Sequence, residues 1–173
     1  MNETVKTIYV DYDGVLAYFL KDSSLEEVAM PGYTLSVPMV DTVCDAVKML
    51  LSDNSLSGYD IRVLSAVIND DARHDKQIML ALRFGEEFAD KAVFVKYGDS
   101  KASYAKGGNI LIDDFSYNLH QWQAYGGVGV KVYNDINGNH GTWHGYSVHS
   151  QAGAIVIYKT IKGILMALES KAA

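Results

Sequence analysis

Short apolar runs that alternate with helix-period segments from one end of the chain to the other constrain this sequence more than any other feature. The alternation is that of strand–helix–strand units, whose strands lie parallel in a single sheet. Strands are expected at Thr7 to Val10, Asp60 to Leu64, Ala92 to Val95, Asn109 to Ile112 and Val128 to Val132. Between them, Val40, Val43, Val47 and Leu50 recur at helical spacing, as do Ile78, Met79 and Leu82. A third helix is expected from about Tyr117 to Tyr125, stopped by Gly126-Gly127, and Ile157, Ile161, Ile164, Leu165 and Leu168 form the stripe of a C-terminal one. The expected fold is α/β: a Rossmann-like, doubly wound parallel sheet of five strands with helices on both faces.

Two stretches break the rhythm. Residues 17–36, Ala17 to Ser36, separate the first strand from the first long helix, and Ser23-Ser24-Leu25-Glu26-Glu27 inside them offers a capping-box start for a helix of about two turns. This is a small cap insertion, too short to be a second domain. The other stretch, Asn134 to His149, is rich in Gly, Asn and His and reads as an ordered loop or irregular hairpin. A chain of 173 residues fits one domain, residues 1–173.

Composition narrows the function. With 49% apolar and 21% charged residues the chain can bury enough surface to offset its entropy. Its 15 Lys+Arg against 21 Asp+Glu give a charge of −6, which argues against a broad basic face for a nucleic-acid polymer or a lipid surface. No apolar run approaches a membrane span, and MNETVKTIYVDYDG lacks the regions of a signal peptide, so a cytoplasmic protein is expected. The single cysteine, Cys44, reads as a small buried hydrophobe. His140, His144 and His149 lie in a run too glycine-rich for a helical zinc pair and read as loop histidines, with His140 or Trp143 an outside choice for lining the mouth of a site.

Chemistry is concentrated where apolar strands end in acids. Asp11-Tyr12-Asp13-Gly14 follows Ile8-Tyr9-Val10 directly, and Asp113-Asp114 follows Ile110-Leu111-Ile112. In open α/β sheets the carboxyl edge is where ligands bind. Either motif alone could be a turn or a helix cap; together they place four acids at one edge if their strands are neighbours. So many carboxylates repel unless some stay protonated or a cation joins them. An all-oxygen donor set favours Mg²⁺ completed by a substrate phosphate, with Asp11, Asp13, Asp113 and Asp114 as the ligand candidates. Alternation along a strand points the two side chains to opposite faces, so one of Asp113 and Asp114 is expected to touch the metal while the other orients a neighbour such as a lysine.

Asp11-Tyr12-Asp13-Gly14-Val15-Leu16-Ala17 resembles the first motif of the haloacid dehalogenase superfamily of phosphohydrolases. Ser65 matches the Ser/Thr of the second motif, Lys101 the lysine of the third, and Asp113-Asp114 the acidic fourth, all in the family's order. Asp-x-Asp-Gly-Val-Leu-Ala with Leu-Ile-Asp-Asp is most similar to the 5′(3′)-deoxyribonucleotidase branch and its small bacterial and phage relatives. Tyr97 to Tyr104, Ile136-Asn137-Gly138 and Gly141-Thr142-Trp143 add to that likeness.

The resemblance implies an Mg²⁺-dependent phosphomonoesterase working through an aspartyl-phosphate, with (deoxy)nucleoside monophosphates as the expected substrates. Asp11 would be the nucleophile and Asp13 the general acid and base. Ser65, Ala66 and Lys101 would hold the phosphoryl group; Lys96 is a rival for the lysine role, less well placed along the chain. Tyr18 and Phe19, with Tyr33, would serve the cap's substrate pocket. Alternatives stay open: a non-catalytic phospho-acceptor on the same sheet, a small-ligand-binding relative, a phosphatase of another small phosphate ester, or a partner that completes the pocket; a homodimer is a separate expectation.

Overall fold

Every strand pairing in the sheet is parallel. The computed structural model describes residues 5–134 and 141–172. Six strands, β1 (Lys6–Val10), β2 (Tyr59–Val67), β3 (Val93–Lys96), β4 (Ile110–Asp113), β5 (Val128–Tyr133) and β6 (Tyr146–His149), lie in the order β3-β2-β1-β4-β5-β6. The helices are α1 (Leu25–Val28), α2 (Tyr33–Ser36), α3 (Asp41–Leu51), α4 (Asp70–Phe84), α5 (Glu86–Asp90), α6 (Ser116–Ala124) and α7 (Ala154–Ala172).

The doubly wound parallel architecture is as expected, but the sheet has a sixth strand. β6 falls in the stretch expected to be a loop or hairpin, and it pairs with β5 from Val130↔Tyr146 to Tyr133↔His149. Of its four residues only Val148 is buried, so its apolar signal is a single side chain. What makes it a strand is the ladder offered by β5, a tertiary condition.

Alternate residues of the central strands feed opposite faces. Ile8, Val10, Ile110, Ile112, Val130 and Val132 join one core with Val43 and Val47 of α3 and Ile157, Ile161 and Leu165 of α7. Tyr9, Leu64 and Leu111 join a smaller core on the other face with Leu119 and Trp122 of α6 and with Trp143. Cys44 lies in the first core, where burial pushes its thiol up to about 11, so the inert reading holds.

Helix α4 departs from its sequence pattern. Leu82, expected on its apolar stripe, is 79% exposed, and the buried positions are Ala72, Asp75, Lys76 and Leu80. Two buried charges occupy the inward face, so hydrophobic periodicity alone misplaces it. Asp75 accepts from the Gly32 N–H at 2.8 Å, and the Asn69 amide donates to the Ala29 carbonyl at 2.8 Å, fastening the insertion to α4. The capping box forms at Ser24 and Glu27, although the helix it starts is one turn, followed by Gly32 at φ 81° and then α2.

No helix among the described residues is long and apolar enough to cross a membrane.

Candidate active site

Strands β1 and β4 are neighbours at the centre of the sheet, and from them the chain winds outward in opposite directions, through β2 and β3 on one side and through β5 and β6 on the other. That reversal opens a crevice at their carboxyl ends. Register Val10↔Ile112 brings the following residues side by side, and the Asp11 N–H continues the ladder by donating to the Ile112 carbonyl at 2.9 Å. Oxygens of Asp11, Asp113 and Asp114 all lie within 4.8 Å of one another, and all three residues are buried. Acids about a hundred positions apart in the chain therefore meet.

Lys101 binds two of them together. Its ammonium stands 2.7 Å from Asp11 Oδ1 and 2.8 Å from Asp113 Oδ2. It opens a short 3₁₀ turn, Lys101–Tyr104, capped by Ser100. Lys96, its rival, sits exposed at the end of β3. Asp113 also accepts from the Phe115 N–H at 2.8 Å and from the Asn118 amide at 3.0 Å, and it is fully buried. Asp114 instead lines a cleft of about 530 Å³ with Asp11, Asp13, Phe19, Ala66 and Lys101. Of the adjacent pair, Asp113 is the one that orients a lysine and Asp114 the one that faces the opening.

Crowding shows in the acidities. Burial, reinforced by the charges of Asp113 and Asp13 and opposed by Lys101, raises the Asp11 carboxyl to about 8. Burial and then the charge of Asp113 raise Asp114 to about 7. Burial disfavours the charge of Lys101 too, but Asp11 and Asp113 outweigh it and keep the ammonium protonated. Among the described residues Lys101 is the ammonium paired with this trio of acids, and hard oxygen donors this close suit a small divalent cation such as Mg²⁺.

Asp13 stands apart from that trio, although it was expected among the metal-binding carboxylates. Gly14, at φ 78°, turns the chain, and the Tyr12 carbonyl accepts from the N–H groups of Leu16 and Ala17, each at 2.9 Å. A Cβ on Gly14 would come within 2.2 Å of Asp114 Oδ2, so glycine is required for contact as well as for backbone angle. The turn swings Asp13 toward Lys76 Nζ, 2.5 Å from its Oδ2. The same ammonium donates to Ser65 Oγ at 3.0 Å and to the Ala66 carbonyl at 2.9 Å, and lies 5.1 Å from the centre of the Tyr12 ring. Ser65 is fully buried inside β2, which runs on to Val67, rather than at the strand's end.

Phe19 lines the cleft and also an adjoining chamber of about 200 Å³ beneath the insertion, where Tyr18, Tyr33, Val37, Val67 and Lys76 form walls. Trp143 belongs to the core beside α6, its indole N–H donating to the Tyr146 carbonyl at 3.0 Å, so it does not line the mouth. His149 is the last residue of β6 rather than a loop residue; His140 and Ile136-Asn137-Gly138 lie outside the described residues.

Neither a protein-family model nor a curated protein matches the chain. Solved structures do. A D,D-heptose 1,7-bisphosphate phosphatase from B. bronchiseptica, complexed with magnesium and phosphate, superposes with a TM-score of 0.58 at 12% identity, covering 91% of this chain and 99% of that one. A family IA HAD hydrolase from Entamoeba histolytica gives 0.54 at 9% identity, with the same coverage of 91% and 99%. The chain has a haloacid dehalogenase-like fold.

Within this haloacid dehalogenase-like fold, the structure gathers Asp11, Lys101, Asp113 and Asp114 at one point, and Asp13, Ala66 and Phe19 around the same cleft. Sequence reading missed Lys76, Asn118 and Asn134. Lys76 leaves a faint trace: in Ala72-Arg73-His74-Asp75-Lys76 it recurs four residues after an apolar position, on the face that turns inward.

Proposed function

We propose that this chain is an Mg²⁺-dependent phosphomonoesterase that works through an aspartyl-phosphate, as a single haloacid dehalogenase-like domain with a small cap. The convergence of Asp11, Asp113 and Asp114 within 4.8 Å, bridged by Lys101, carries the reading. That a structure sharing this fold is a phosphatase complexed with magnesium and phosphate supports it.

Asp11 is the nucleophile: a carboxylate oxygen attacks phosphorus, the ester P–O bond breaks, and the phosphoryl group is carried on Asp11. Asp13 protonates the departing oxygen, then takes a proton from the water that cleaves the aspartyl-phosphate, releasing inorganic phosphate. Its half-exposed side chain lies between cleft and chamber, the place a leaving group would occupy. Lys101 offsets charge on the non-bridging oxygens, and Lys76 with Ser65 holds Asp13 and the phosphate-side wall in place. Asp114, with Asp11, would hold the Mg²⁺, which supplies charge neutralisation at the phosphoryl oxygens. Among the described residues, Lys101 is the cation that lines the cleft and Lys76 the one that lines the chamber.

The substrates are nucleoside 5′-monophosphates, deoxy forms included. Support comes from the aromatic walls of the chamber, Tyr18, Phe19 and Tyr33, which suit a flat base. The test is phosphate release from a panel holding a generic aryl phosphate, nucleoside monophosphates and small sugar phosphates, with and without Mg²⁺. Release from no compound overturns the enzymatic reading; release from sugar phosphates alone overturns the nucleotide assignment. A phosphorylated protein that survives for hours after treatment with a small phosphodonor would favour a phospho-acceptor instead.

A further inference from the structure

We infer that β5 and the residue that follows it supply two positioning residues for the acidic pair, Lys131 and Asn134, and that Asn134 sets the strength with which Asp114 takes a divalent cation. The inference rests on the reading of Asp114 as a cation ligand. The Asn134 amide nitrogen donates to Asp114 Oδ2 at 2.8 Å and to the Gly14 carbonyl at 2.8 Å. Both neighbours are oxygens, so the NH₂ end of the side chain must face them, one hydrogen to each. One amide thus ties the turn after the nucleophile to the second acid of the pair, across 120 residues of sequence on one arm and 20 on the other.

Lys131 acts on the same residue from below. It is the ladder partner of Asp113, it is 1% exposed, and its ammonium donates to the Asp114 carbonyl at 2.7 Å and to Ser116 Oγ at 2.9 Å. The strand Val-Gly-Val-Lys-Val-Tyr would bury an apolar side chain at this position with less desolvation cost, and the backbone ladder to β4 does not need the ammonium. Its hydrogen bonds fix the peptide of Asp114, while those of Asn134 fix its carboxylate. The torsions between strand and carboxylate oxygen are pinned at both ends. Gly14, with no room for a Cβ against Asp114, closes the third side. Hydrogen-bonding partners of this kind orient metal ligands, and their loss typically weakens metal binding by ~10–100-fold.

The experiment is calorimetric titration of Mg²⁺ into the wild-type chain, Asn134→Ala and Asn134→Ser, with circular dichroism of each. Asn134→Ala is expected to weaken Mg²⁺ binding by ~10–100-fold, with Asn134→Ser, which keeps one donor, in between. In turnover assays the Mg²⁺ concentration for half-maximal rate should rise in parallel, while kcat at saturating Mg²⁺ and KM for the ester change by less than about threefold. Unchanged Mg²⁺ affinity in a folded variant overturns the inference, as does a loss of kcat with no change in affinity. Should Asn134→Ala not fold, the serine variant decides by the same criterion. Because the titration needs no substrate, a chain that binds Mg²⁺ but hydrolyses nothing sinks the phosphatase reading and leaves the clamp standing; a wild-type chain that binds no Mg²⁺ at millimolar concentration sinks the clamp.

Discussion

Two hollows at opposite edges of the sheet shift the acidity of the same kind of side chain in opposite directions. At the edge away from the carboxyl ends, a cavity of about 360 Å³ is lined by Leu50, Asp53, Tyr59, Asp60 and Phe88. Asp53 there accepts from Lys162 at 2.6 Å, from the Tyr158 hydroxyl at 2.7 Å and from Ser55. Those hydrogen bonds, Lys162 first, hold its carboxyl well below the usual range. At the carboxyl edge, burial and mutual repulsion push Asp11 and Asp114 up instead. An acid whose donors outweigh its burial is finished; acids buried so close together that repulsion and burial outweigh the donors around them are set up for a ligand.

The sharpest way to break this contrast is to neutralise one acid from each hollow. Asp11→Asn should abolish phosphate release, by at least ~10⁴-fold, with the fold intact by circular dichroism, whereas Asp53→Asn should leave kcat/KM within about twofold. Their effects on melting should also have opposite signs. Asp53→Asn lowers Tm, and Asp11→Asn in metal-free buffer near pH 8 raises it, because one gives up a well-partnered charge and the other is relieved of burying a charge that Lys101 only partly offsets. Equal activities of the two variants would erase the distinction.

Lys101→Met removes the cation between Asp11 and Asp113 and should cost ~10²–10³ in kcat. Lys76→Met keeps Asp13 but frees it, so steady-state kinetics should show a smaller loss, ~10–10²-fold. Phe19→Ala opens the wall shared by cleft and chamber. It should raise KM for nucleoside monophosphates by ~10-fold while leaving a small aliphatic phosphate unaffected.

Acidity sharpens the comparison further. Asp11 and Asp114 have folded-state values above the unfolded carboxylate, so their contribution is full below about pH 4 and is lost as pH rises through about 7 to 8. Asp53, held low, contributes above the unfolded value and loses that contribution as pH falls toward its lowered one. Mg²⁺ competes with protons at the first pair. Differential scanning fluorimetry should therefore show an Mg²⁺-induced gain in Tm larger near pH 8 than near pH 5, by about 4 °C. A gain independent of pH would mean that these acids are not its ligands.

Much of the site was legible because its signals are local. An apolar strand that ends in Asp-x-Asp-Gly, and another that ends in Asp-Asp, can be read within a few residues, and parallel neighbours then bring them together. Lys101 was legible only through resemblance; by itself it is one charge among many. Lys76 was hidden inside a helix whose inward face carries Asp75 and Lys76, where period arguments look for apolar residues and settle on the exposed Leu82 instead. Strand β6 was hidden because one buried valine cannot announce a strand.

Alternation of apolar runs with helical segments by itself pointed to a parallel sheet between helix layers, since short strands apolar on both faces must be covered on both. The tertiary structure alone decided which acid of the pair faces the cleft, which lysine holds Asp13, and that Asn134 reaches back across 120 positions to Gly14. The reason is physical: hydrophobic pattern is a property of neighbours along the chain, whereas a hydrogen bond between a carboxylate and an amide depends on distances that exist only after the strands have closed together.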